Sequence, residues 1–588
     1  MQHRSQIFSL IAILLIAGAL AGIPAAEAVT VNHRSIGTNA GVLCNAGTAT
    51  VIKGSVSVTF EGVVLPATIG RGDEIVIDDE ELYILSRDGD TRLTLQNPAR
   101  YDHTGQAYAI RRAYTSIQAW VNDRRGNLVR EERLEVGVCY NDGPFTTRSW
   151  WELARIHGSV TDPEHFMWLT AADGAEHQGR AGEGVVLDGR SFTRHGILVA
   201  DDYTRIEGLE LKGFRRNFLA AAVSVWYARG VVLERLLIHD FEWPRFEGAG
   251  IEGGLRSELT ARNCIIYDGG SAGVVTRWPQ AAARVENSTI YGMRGWGIDE
   301  RLGRVEVVNT IAVGNAKGDF RIKRGTQSHN ISSDRSAAGE GSLVFLKAAD
   351  QFVSIAPGAE DLHLKEGASG VDAGKNLAEE ARSRRSALPP AALHGRPATV
   401  AADIDGQERI GETAWDIGAD EIESSPTGVW FVDAAQAGDG TSWKTAFATI
   451  RQAVAAARPG EQIWIREGHY ELEGEIRIDK PLSLYGGFAG AERRLEQRDR
   501  RERPTVLDGR GITRCLNLAA EDIRVDGLVF QSGYAGSGGA VFAQNVSGIL
   551  IENCRFESNS AGSGGGLHAL LSAGVVRNCV FADNQATM

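Results

Sequence analysis

The sequence predicts an all-β chain: two tandem right-handed parallel β-helices, each opened by a short capping helix, preceded by a small β module. Three observations predict it. First, one signature recurs in ARNCIIYDG (261–269), RVENSTIYG (284–292), VEVVNTIAVG (305–314) and SHNISSD (328–334), with Asn263, Asn287, Asn309 and Asn330 stepping by 24, 22 and 21 residues. Second, the intervals hold short β-forming runs broken by Gly, Asn and Asp, with no helical periodicity. Third, VVLDGRSFTRHGILVADDYTRIEGLELKGF (185–214) recurs as TVLDGRGITRCLNLAAEDIRVDGLVFQSG (505–533), so one unit is built twice.

Each element follows in order. MQHRSQ, an apolar run and Ala26-Glu27-Ala28 make residues 1–28 a cleaved secretory signal peptide. No later apolar run reaches a spanning length, so the mature chain is expected to lack a transmembrane segment and to be secreted or held at a cell surface. Residues 29–104 read as a small all-β module of alternating runs separated by GRGDE and RDGDT turns. Residues 105–423 form β-helix module one. It opens on YTSIQAWVNDRRG, whose apolar spacing and Ser116 or Thr115 N-cap predict a short helix, and ends at DIGADEIE. A linker at 424–428 follows, and 429–588 is β-helix module two, with the same helix-then-strand opening at FATIRQAVAAARPG (447–460). Its last coils, around Asn553-Cys554 and Asn578-Cys579, stop at Met588 where another Gly-rich turn is due, so the module is expected to be truncated.

Composition bounds the function. At 588 residues the chain is too long for one hydrophobic core, and 70 glycines suit frequent tight turns. A net charge of -13 argues against a nucleic-acid partner, and six cysteines are too few for a disulfide scaffold.

Several stretches carry a family likeness. SIAPGAEDLHLKEGASGVDAG with DIDGQERIG and DIGADE looks like the closing segment of secreted surface β-helix proteins. FVDAAQAGDGTSWKTAFATIRQAVAAARPGEQIWIREGHY looks like the opening of the same kind, and NCRFESNSAGSGGGL is similar to adhesin repeats. The chain thus resembles secreted bacterial right-handed parallel β-helix proteins of the pectate-lyase-like superfamily, especially surface and adhesin types. The resemblance implies fold and export; it does not choose an activity, because this fold hosts lyases, hydrolases and non-catalytic adhesins.

A site on a β-helix should appear as a row, since equivalent positions stack ~4.8 Å apart. Aligning AAVSVW, GIEGG, GVVTR, GIDER and DFRIK puts Val223, Ile251, Val274, Ile298 and Phe320 in an inward column. Ser224, Glu252, Val275, Asp299 and Arg321 then point outward, and two places on come Trp226, Gly254, Arg277, Arg301 and Lys323. Glu252 and Asp299, with Arg277 and Arg301, are the candidate catalytic set for an acidic polysaccharide, through an inverting acid pair or an arginine-based elimination. The bland alternative is that such charges pair with one another across coils. Trp226, Trp278 and Trp296 are the candidate sugar-stacking residues. The Asn column reads as an internal ladder of turn residues. No cofactor is expected, except Ca²⁺ if the chemistry is a lyase's. The expected function is non-catalytic glycan binding or surface attachment, with a polysaccharide or cell-surface glycan as partner. The alternative is a polysaccharide lyase or glycoside hydrolase.

Overall fold

The structure is a computed structural model describing residues 29–190, 193–214, 220–241, 248–377, 402–407, 409, 414–422, 428–490, 492 and 495–587. The expected signal peptide at 1–28, most of the expected linker at 424–428, and Met588 lie outside the described residues. The chain divides into two compact units, Met1–Ile422 and Glu423–Met588.

In the first unit three parallel sheets run the length of a solenoid. Sheet I has nine strands, from Thr30–Ile36 and Arg133–Cys139 to Thr326–Ser328. Sheet II has seven, Glu152–Ile156 to Gly318–Arg321, and sheet III seven, Val186–Asp188 to Ile331–Ser332. After the opening coils the chain visits sheets I, III and II in turn, so each residue pairs with its equivalent one coil on; this is a parallel β-helix. The inward side chains of all three sheets meet in one buried cluster that contains Val223, Ile251, Val274, Ile298 and Phe320, the column expected from alternation. The second unit repeats the plan on sheets of six, five, four and three strands around its own apolar cluster.

The corner between sheets I and III explains the Asn signature. Asn263, Asn287 and Asn309 have φ of 52, 43 and 51°, left-handed geometry that Asn tolerates better than most L-residues. Asn309 Nδ2 donates to Asn287 Oδ1 at 3.0 Å. The expected four-membered ladder is shorter than that. Val308 pairs with Ser328, which puts His329 (φ 51°) in the corner and moves Asn330 one place on, where its Oδ1 accepts from Thr310 N. The Asn263 side chain is buried with no hydrogen-bond partner among the described residues. The VLDGR strings are also turns: Asp188 accepts from Arg190 N and Asp508 from Arg510 N, each at 2.7 Å.

The opening differs from the expectation for 29–104. Thr30–Ile36 pairs in parallel with Arg133–Cys139 and is the first strand of sheet I. Only the following residues, Val42–Cys44 through Tyr108–Arg111, form the small module, an eight-stranded antiparallel sheet with its own core. Alternation along a strand cannot tell which partner it takes, and here the partner lies about a hundred residues downstream. Helix α1 (Ile117–Arg124) comes next, N-capped by Ser116, with Ile117, Trp120 and Val121 buried in the solenoid cluster. The second unit opens alike: strand Val429–Val432, a loop in place of the inserted sheet, then a helix at Ile450–Ala456 with a Thr449–Gln452 capping box. Isolated bridges Ile36–Tyr114 and Val432–Phe447 mark the same junction in both.

The closing segment of the first unit folds back over sheet III. Phe352, Leu362, Leu364, Ile404, Ile417 and Ala419 cover Leu237, Ile265, Tyr267, Ile311, Val313 and Ile331. Sheet III therefore offers no open face along these coils. All six cysteines are free thiols. Among the described residues no helix is long and apolar enough to cross a membrane.

Candidate functional site

Sheet II carries the predicted row. Ser224, Glu252, Val275, Asp299 and Arg321 stand opposite one another on consecutive strands. Glu252 and Asp299 therefore share a face, roughly 9–10 Å apart between backbones at ordinary strand spacing. Outward does not mean open, however: Glu252 is 1% exposed and Asp299 0%.

What covers them is largely their own basic neighbours. Glu252 Oε1 accepts from Arg277 Nε and Oε2 from Ser224 Oγ, both at 3.1 Å. Burial raises the Glu252 pKa, against the pull of Arg277 and Ser224. Asp299 sits between two guanidiniums, Arg301 Nε at 2.8 Å and Arg321 Nε at 2.5 Å. The bland reading of the row, acids pairing with bases across coils, is therefore present in the geometry. Glu252 and Asp299 spend their oxygens on guanidinium and hydroxyl donors, so the pair does not fit the oxygen cage that Ca²⁺ requires.

One further residue joins this network. His195 Nδ1 lies 3.0 Å from Ser224 Oγ, linking His195, Ser224, Glu252 and Arg277 into one buried chain. Burial, with Arg194 and Arg155 nearby, pushes the His195 pKa down to about 3, so its imidazole is neutral. Beside it, Arg194 lies over the Trp151 ring at 4.3 Å, and Trp150 meets Trp151 edge-on at 5.1 Å. Trp150 is 47% exposed. His195, Trp150, Trp151 and Arg194 fall outside the sequence-derived row because that row starts at AAVSVW, two coils after the first strand of sheet II. The VLDGR repeat, which runs straight into Thr193-Arg194-His195, was the signal that could have extended it.

The expected sugar-stacking residues fall into two groups. Trp226 and Trp278 lie together, ring centroids 5.8 Å apart, with Tyr227 6.5 Å from Trp226 and 58% exposed. The Trp226 indole lies flat across Gly254, where a Cβ would come within 2.8 Å of the ring. Neither Trp226 Nε1 nor Trp278 Nε1 has a hydrogen-bond partner among the described residues. Trp296 stands apart, with the Arg321 guanidinium 5.2 Å from its ring. One set of side chains has metal-ligand geometry among the described residues, His363, Asp405 and Asp420, and it lies in the closing segment rather than on sheet II.

No family model matches the chain, and no curated protein matches it. Solved structures align with it only loosely. Pectate lyase Pel9A aligns at a TM-score of 0.27 and 14% identity over 49% of this chain and 88% of its own. The tailspike protein gp49 from Pseudomonas phage LKA1 aligns at 0.18 and 8%, over 95% and 72%. The catalytic unit of the GH87 alpha-1,3-glucanase from Streptomyces thermodiastaticus aligns at 0.19 and 11%, over 93% and 88%. Likenesses at these scores carry no functional argument, and the fold stands on the strand pairing itself.

Proposed function

We propose that the outward face of sheet II binds an acidic polysaccharide without cleaving it, in a protein exported to the cell surface or medium. One observation carries the reading. The buried carboxylates Glu252 and Asp299 anchor Arg277, Arg301 and Arg321, the Trp296 indole lies against the Arg321 guanidinium, and the Trp226–Trp278 pair stands on the same sheet's coils. Arg301 and Arg321 remain 23% and 32% exposed, and Lys323 and Arg324 extend the basic strip beyond them. This is local positive charge on a chain of net charge -13. Guanidiniums held in a fixed orientation pair with sugar carboxylates at low entropic cost, and indoles supply the stacking surface.

A second reading keeps one specific support: Glu252, whose pKa is raised, shares a face with a carboxylate neutralised by two arginines. A buried carboxyl group with a raised pKa on the same face as a second carboxylate is the kind of arrangement a glycosidase or lyase would use. Incubation with a panel of uronate polysaccharides separates the two. Binding without new reducing ends or unsaturated products is expected. Turnover abolished by Asp299→Ala would replace the binding reading with the enzymatic one.

A further inference from the structure

We infer that the closing segment of the first unit is a structural metal site, in which His363, Asp405 and Asp420 hold a divalent transition-metal cation such as Zn²⁺. The donor atoms of the three side chains all lie within 4.8 Å of one another, close enough for one ion to reach them all.

Three observations point to an ion rather than a plain polar cluster. Asp361 bonds His363 Nδ1, which fixes the ring and leaves Nε2 facing Asp405 Oδ1 at 3.0 Å. A carboxylate on the far nitrogen is the usual device for orienting a metal-binding imidazole. Space is kept free beside the donors: Gly179 (φ 71°) has no side chain, and a Cβ there would stand 2.5 Å from His363 Nε2 and 3.6 Å from Asp405 Oδ1. The charge is also unbalanced. Asp403 and Asp420 are buried and Asp361 and Asp405 half-buried, four carboxylates around the single imidazole of His363, and the guanidiniums nearby are committed elsewhere or exposed. Arg409 binds Glu421, and Arg180, 3.4 Å from Asp361, is 56% exposed.

The ligand chemistry sets the ion. An imidazole nitrogen with two carboxylates suits zinc, whereas Ca²⁺ asks for six to eight oxygens. The ligands come from strand Ala359–Leu364, the Asp403–Gln407 turn and the 414–422 stretch, where Asp420 also accepts from Leu364 N at 2.8 Å. An ion here would clip together three pieces of chain that cover sheet III, coupling binding to folding of the closing segment.

The test uses the full chain, stripped by chelator and then titrated with Zn²⁺ alone and with Ca²⁺ alone by calorimetry. One Zn²⁺ per chain is expected, with a rise in melting temperature, and Ca²⁺ should bind at least tenfold more weakly. His363→Ala and Asp405→Asn should abolish the Zn²⁺ heat, and Asp361→Asn should weaken it roughly 10–100-fold, as removal of an outer partner does. Should a ligand variant fail to fold, Gly179→Ala tests the same site without touching a ligand, because its methyl fills the space beside Nε2. No stoichiometric Zn²⁺ heat in the wild type would overturn the inference. So would undiminished binding in folded His363→Ala or Gly179→Ala protein.

Discussion

Lowering the pH from 8 to 5 should cost the first unit stability through His195, and the size of the loss follows from its surroundings. The side chain is buried, and burial with Arg194 and Arg155 holds its pKa near 3, against 6.5 for an ordinary histidine. The folded value lies below the unfolded one, so between about pH 6.5 and 3 the unfolded chain binds the extra proton. Stability is fully present above pH 6.5 and drains away as pH falls. At pH 5 the unfolded chain is favoured by about 1.5 pK units, or roughly 2 kcal/mol, and any folded pKa below about 4 gives nearly the same loss. The assay is urea unfolding of wild type and His195→Gln across pH 8 to 5. The wild type's advantage over the variant should shrink by about 2 kcal/mol on acidification. A pH-independent difference, or one that grows on acidification, would refute a neutral buried His195.

Three further outcomes are expected. His177, buried with a pKa near 4, has the same sign, so His177→Gln should flatten the acid limb as well. Asn309→Ala should destabilise by about 3–5 kcal/mol, combining left-handed strain with lost hydrogen bonds to Asn287 and Lys375. Asn309→Gly keeps the turn and should recover about 1 kcal/mol of that, both variants being read by urea unfolding at pH 8. Cys579 is half-buried and hydrogen-bonded with Cys554, which lowers its thiol pKa to about 7, whereas burial raises those of Cys139, Cys264 and Cys515. Iodoacetamide at pH 7.5, read by peptide mass mapping, should therefore label Cys579 before those three.

The coil plan was legible because a parallel solenoid repeats one constraint many times. Every coil must send its alternate apolar residues inward at the same register, so Val223, Ile251, Val274, Ile298 and Phe320 could be aligned by pattern alone. The same alternation put Glu252 and Asp299 on one face but could not reveal that Arg277, Arg301 and Arg321 fold over them. Direction is a backbone property, while exposure depends on where long side chains settle. Asn330 was misaligned because His329 fills the left-handed corner as Asn does elsewhere, and only the Val308–Ser328 pairing separates the two. The cluster of His363, Asp405 and Asp420 joins residues some forty and sixty positions apart, and only the fold of the closing segment brings them together.

The central claim is that the arginine-and-indole strip of sheet II recognises acidic sugar chains, and titration of the full chain with a polyuronate tests it most directly. Arg321→Gln is the informative variant because Asp299 keeps its bond to Arg301 and the fold should hold. Wild-type binding should weaken with added salt, Arg321→Gln should bind about tenfold more weakly, and a neutral glucan should not bind. Equal affinity of wild type and folded Arg321→Gln for the polyuronate, or tighter binding of the neutral glucan, would contradict the claim.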